Sequence, residues 1–194
     1  MSTVAPTTDE AFARFSDTLD AAGLRAALAY LLGLTDYRFI AIFRFEEGMA
    51  NAAVFYDREN PDVLAVDEVS DRATYCCYVR ETRGVFKTAD AMQDPRLEGH
   101  VSREVVQSYC GVPVMTSDGQ VLGTLCHYDL VPRDPEQVDL GLMLQVGSRL
   151  AQSNLVPPYP HKAGELKCKL RLKRQRPEST VHGPLARQPR KTET

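Results

Sequence analysis

Apolar residues at Phe12, Phe15, Leu19, Ala22 and Ala26 recur at three- and four-residue steps, which turns one narrow stripe of a helix toward a partner surface. Thr7 and Glu10 stand just ahead of it at capping-box spacing, so the helix is expected to start there and to run to Gly33 and the Thr35-Asp36 pair. The period then drops to two. YRFIAIFRFEEG (Tyr37 to Gly48) and ANAAVFYD (Ala50 to Asp57) alternate aromatic or branched residues with smaller or polar ones, and the short Glu46-Glu47-Gly48 connection joins them as an antiparallel hairpin.

From Arg58 to about Gln107 the periodicity weakens. Turns are expected around Asn60-Pro61-Asp62, a short helix from Ala73 to Thr82, a short strand from Gly84 to Thr88, a loop at Asp94-Pro95 and a second helix near Val101 to Val106. The pattern sharpens again in SYCGVPVMTSDGQVLGTLCHYD. Asp118-Gly119 there is a hairpin turn, read as the mirror type with positive φ, joining VPVMT to QVLGTLCHYD. Asp134-Pro135-Glu136 reads as the cap and first turn of a last helix, which carries Val138, Leu142, Val146 and Leu150 and is closed by Pro157-Pro158.

Strands that pair with their neighbours, with helices in separate blocks, indicate an α+β domain and not a βαβ parallel sheet. An antiparallel sheet of about six strands, with the N- and C-terminal helices on one face and the helical excursion on the other, buries every apolar stripe. Residues 1–8 are expected to be disordered, 9–156 to form the domain and 157–194 to be a flexible tail.

Charge sets the tail apart. Five lysines, five arginines and three glutamates give residues 155–194 a charge of +7, which leaves −10 on residues 1–154. Contact with nucleic acid is not expected except through the dense run KCKLRLKRQR, residues 167–176, which reads first as a solvated part of the tail, since no aromatic residue interleaves it to stack on bases. No stretch approaches the roughly 20 apolar residues a bilayer requires, and the N-terminus lacks the basic region of a secretory signal. A cytoplasmic protein without membrane contact is expected. Five cysteines at irregular spacing form no disulfide framework, which fits reduced thiols.

SYCGVPVMTSDGQVLGTLCHYDLVPRDPEQ resembles the closing hairpin of the GAF domain family, with TADAMQDPRL (Thr88 to Leu97) resembling the stretch before it and TYCCYV (Thr74 to Val79) a cysteine-containing helix after the second strand. The resemblance spans about residues 10–154. It implies a GAF-like sheet of the PAS/profilin-like kind that opens on a small-molecule pocket beneath the excursion, with the terminal helices forming a homodimer. A stand-alone sensor that acts in signalling through a downstream partner follows from it. The alternatives are a free methionine-R-sulfoxide reductase and a ligand-free interaction module.

Candidate chemistry turns on GTLCHYD, Gly123 to Asp129. Strand alternation places Cys126 and Tyr128 on one face and His127 with Leu125 on the other, so the Cys-His pair cannot jointly hold a tetrapyrrole. In the sulfoxide-reductase branch of the family a reactive cysteine is expected where this chain has Arg103. Tyr109 replaces a glutamate, and CHYD replaces an acidic pair. No catalytic residue is therefore assigned. The histidines are not at ligand spacing, so no metal site is expected, and the sequence specifies no cofactor. The candidate ligand-binding residues are Tyr75, Cys76, Asp90, Asp94, Tyr109 and Tyr128, a few polar groups that can orient a molecule in an apolar pocket.

Overall fold

A computed structural model describes residues 5–156. The expectations for residues 1–4 and for the basic tail lie outside the described residues. Thr7 and Thr8, expected in the disordered segment, instead cap and open the first helix. The expected capping box forms: the Thr7 hydroxyl accepts from the Glu10 N–H, and the Glu10 carboxylate accepts from the Thr7 N–H.

Two helices replace the single one expected at the N-terminus. α1 (Thr8–Ala22) and α2 (Leu24–Gly33) break at Gly23, whose φ of 83° lies outside the helical region. The apolar stripe therefore holds through Phe15 and Leu19, while Ala22 is exposed. Past the break Arg25 clasps the end of the second strand and the chain that follows it, donating to the carbonyls of Phe55, Pro61 and Val63.

β1 (Phe39–Glu46) and β2 (Met49–Asp57) form the expected hairpin. Its two-residue loop has positive φ at both Glu47 and Gly48, the mirror-type turn that follows the right-handed twist of the strands. β3 (Val69–Ser70), α3 (Cys76–Thr82) and β4 (Phe86–Thr88) make up the excursion. Residues 101–105, expected as a helix, form only successive turns. Val101 and Val105 are exposed, so no apolar stripe anchors a helix there.

β5 (Ser108–Met115) and β6 (Val121–Asp129) pair antiparallel as expected. Their connection differs from the expected mirror turn. It is a three-residue loop, Ser117 to Gly119, closed by the Thr116–Gln120 backbone bond, with positive φ only at Gly119. Asp134 caps a single 3-10 turn and not the last helix; α4 (Leu140–Gln152) starts separately on Asp139, which accepts from the Leu142 N–H.

The six strands form one antiparallel sheet in the order β3-β2-β1-β6-β5-β4. Alternation divides two cores across it. Ile40, Ile42, Val112, Val114 and Leu125 face α1, α2 and α4, while Phe39, Ala41, Phe43, Tyr109 and Cys126 face the excursion. Gly123 lies in the central strand pair, opposite Arg44 at the end of the β1–β6 register. Among the described residues no helix is long and apolar enough to cross a membrane.

Candidate functional site

On the excursion side, a cavity of about 420 Å³ lies between the sheet and the segments 66–76 and 102–106. Tyr75, Cys76, Tyr109 and Tyr128 all line it, so four of the six candidate ligand residues are brought together. Tyr109 reaches its place because residue 111 is glycine. A Cβ there would stand 2.3 Å from the tyrosine hydroxyl oxygen, so the phenol ring lies where any larger residue would have a side chain. Tyr75 meets this ring edge-on at 5.7 Å and 90° and donates its hydroxyl to the Val106 carbonyl at 2.9 Å. Tyr128 stacks on Phe39 with centroids 4.7 Å apart.

One thiol lines the cavity and a second lies against it. Cys76, on the first turn of α3, accepts a hydrogen bond from the Tyr109 hydroxyl at 3.3 Å, and Cys126 of β6 adjoins it. Burial opposes ionisation of both. At Cys76 the surrounding hydrogen-bonding groups of Cys126, Tyr109, Thr74 and Thr124 outweigh it and lower the pKa; at Cys126 burial prevails and raises it well above the ordinary thiol range. Burial also pushes Cys77 up to about 11 and Cys110 up to about 12. All four described cysteines are buried and free, as small apolar core residues often are. Among the described residues no group of three or more His, Cys, Asp or Glu side chains is placed to hold a metal ion.

Asp90 and Asp94 are not part of this pocket. They line a shallow groove on another side of the excursion with Lys87, Arg96 and Pro135. Both act as loop caps: Asp90 accepts from the Met92 N–H, and Asp94 from the Arg96 N–H and guanidinium. The Arg96 guanidinium outweighs the burial of Asp94 and, with Thr88 and the Arg96 amide, holds its carboxyl down to about 2. A carboxyl depressed on folding adds stability above its unfolded value of about 4 and loses it as pH falls toward about 2. The urea midpoint should therefore drop across that window, and Asp94→Asn should flatten this acid limb. An acid limb equally steep in the variant would contradict the assignment.

Several pocket residues escaped the sequence reading. Phe43 shares a strand face with Phe39 and Ala41, so alternation alone could have placed it. Val66, Val69 and Ser102 sit in the weakly patterned excursion, where nothing local points inward. The Ser102 hydroxyl donates to the Ala73 carbonyl at 2.5 Å and fastens the two cavity walls to each other. Arg103, at the position where the reductase branch would carry its cysteine, donates to the Ala91 and Met92 carbonyls. It holds the excursion in place.

Comparison with known proteins matches this architecture. The GAF domain family model covers residues 10–153. Over 95 residues the chain is 34% identical to a cyclic di-GMP phosphodiesterase of Pseudomonas aeruginosa; the stretch is 47% of this chain but only 16% of that enzyme. The GAF domain of an Acinetobacter phosphoenolpyruvate-protein phosphotransferase superposes with a TM-score of 0.59 at 14% identity, covering 77% of this chain and 93% of that one. A free methionine-R-sulfoxide reductase of Neisseria meningitidis superposes with a TM-score of 0.55 at 19% identity, covering 78% of this chain and 88% of that one. At such identities the structural likeness is one of fold. A six-stranded antiparallel sheet, roofed by an excursion and matched to the family along most of its length, makes this chain a member of the GAF domain family.

Proposed function

We propose that the protein is a non-enzymatic sensor whose sheet-side pocket takes an uncharged, largely apolar planar molecule without covalent attachment. One observation carries this reading. The cavity is walled by Phe43, Tyr75, Tyr109, Tyr128 and valines, and no lysine or arginine is among the residues that line it. Its one carboxylate, Asp67, is exposed at the rim. An anionic ligand such as a cyclic nucleotide would lose its hydration there with no basic side chain to compensate, whereas a flat apolar ring can lie against the tyrosines. The buried hydroxyls of Tyr109 and Tyr75 are already committed to Cys76 and Val106. Apolar contact therefore dominates.

Output then passes through a partner. The likeness to a stretch that makes up 16% of a cyclic di-GMP phosphodiesterase supports a regulatory place beside an output activity. The sensing unit is a homodimer through α1 and α4, which pack on one another and leave Leu144 exposed on the outer side of α4.

Native mass spectrometry of the full chain, titrated with the uncharged fluorophore N-phenyl-1-naphthylamine, tests both parts. Two chains per particle and one probe per chain are expected. Ala73→Phe, which projects a ring into the pocket, should weaken probe binding at least about tenfold. A wild-type chain that takes up no probe, or equal uptake by the variant, would refute the pocket assignment. A monomer would refute the dimer.

A further inference from the structure

The opposite face of the sheet holds a second cavity, of about 150 Å³, between α1, α2 and α4. Its apolar walls are Ala11, Leu31, Leu34, Val138, Leu142 and Met143, and His127 of β6 lines it as well. His127 is 1% exposed, and neither ring nitrogen is hydrogen-bonded. The Leu31 carbonyl lies nearby without forming a hydrogen bond to the ring. Such a group is rare in a folded interior, because leaving a buried donor and acceptor unpaired carries a cost.

The polar groups at the mouth do not serve it. Gln137 accepts from the Asp36 N–H, Thr35 donates to the Leu32 carbonyl, and Asp139 accepts from the Thr8 hydroxyl and caps α4. The imidazole is thus the unpaired polar feature in an apolar chamber. Burial pushes its pKa down to about 3, so the ring is neutral at ordinary pH and presents one donor and one acceptor.

We propose that this helix-side cavity is a second ligand site, taking a small uncharged molecule with an apolar ring and a single hydroxyl that hydrogen-bonds to His127. The volume matches the roughly 150 Å³ apolar cavities that accept benzene-sized ligands. A phenol fills it with ring against Leu31, Leu142 and Met143 and with oxygen at the imidazole. A carboxylate of the same size is rejected, because the ring carries no charge to offset it. This site is separate from the aromatic pocket across the sheet.

Phenol, toluene and benzoate titrated into the full chain, with the imidazole nitrogen resonances followed by NMR, distinguish the outcomes. Phenol should move the His127 signals and bind about tenfold more tightly than toluene, the difference one hydrogen bond to a buried group supplies. Benzoate should do neither. His127→Phe should bring phenol down to the level of toluene in this chamber, read on the Met143 methyl resonance, and Ala11→Leu, which fills the chamber, should abolish the phenol-dependent shifts of His127. If His127→Phe fails to fold, the wild-type imidazole shifts and Ala11→Leu still decide the matter. Unmoved His127 signals, equal affinity for phenol and toluene at this chamber, or phenol-dependent His127 shifts that survive Ala11→Leu would each overturn the proposal; phenol that binds without moving His127 belongs to the aromatic pocket.

Discussion

Gly123→Ala is expected to destabilise the protein by about 3 kcal/mol and to lower its melting temperature by about 6–12 °C. A Cβ at this position would stand 2.1 Å from the Phe43 carbonyl oxygen, 3.1 Å from its carbon and 3.4 Å from the Arg44 Cα. All three are backbone atoms of the central neighbouring strand, so no side-chain rotation can relieve the overlap. Either β1 and β6 separate or the ladder distorts, and both cost hydrogen bonds and packing on two faces at once. Gly111→Ala meets a different obstacle. Its Cβ collides with the Tyr109 ring, a side chain that can swing away, so the main expected effect is a displaced pocket wall with a smaller loss of stability. Urea unfolding of the two variants should rank Gly123→Ala as clearly the more destabilised. The reverse order would mean that the sheet yields more easily than the ring.

Asp129→Ala should cost about 3–5 kcal/mol, in the range seen when one partner of a buried charged network is removed. Asp129 is 2% exposed and ends β6 by collecting four donors: the N–H groups of Arg38, Leu130 and Val131 and the Arg133 guanidinium. Alanine leaves these without their acceptor at the junction where β1 begins and β6 ends. Asp129→Asn keeps the shape and one carbonyl oxygen, so it should recover roughly half of the loss. Chemical denaturation of both variants gives the comparison. A cost below about 1 kcal/mol for the alanine variant would show that water replaces the carboxylate freely at this corner.

GTLCHYD looks like a reactive cluster in the sequence, and the structure distributes its members among separate tasks. Strand alternation was enough to send Cys126 and Tyr128 to one core and His127 to the other, because a period of two is a local property. The role of Asp129 depends on Arg38, which is 91 residues away in the chain, and no local pattern reports such a partner. The same distinction explains the remaining differences. The hairpins and the capping box follow from neighbouring residues and period, whereas the sheet order turns on the pairing of β1 with the distant β6. The break at Gly23 was hidden because an apolar stripe can continue across a glycine, while the conformation at that glycine is set by what α2 must reach. Asp134-Pro135-Glu136 has the letters of a helix start, but the helix begins at the next such cap, Asp139, where the apolar spacing first meets the sheet. Of the pocket, the tyrosines on β5 and β6 were legible from alternation. Asp90 and Asp94 were misplaced because a carboxylate that caps its own loop reads the same, one residue at a time, as one that faces a ligand.

Arg25 has a mechanical consequence. Its guanidinium grips three carbonyls along a bend that leads, within a few residues, to the valines roofing the aromatic chamber. A lift of that roof must either tear these bonds or tug on the short helix beside the chain's first turn. With Arg58, which donates back to the Leu32 and Thr35 carbonyls, the clasp makes the roof and the helical layer parts of one linkage.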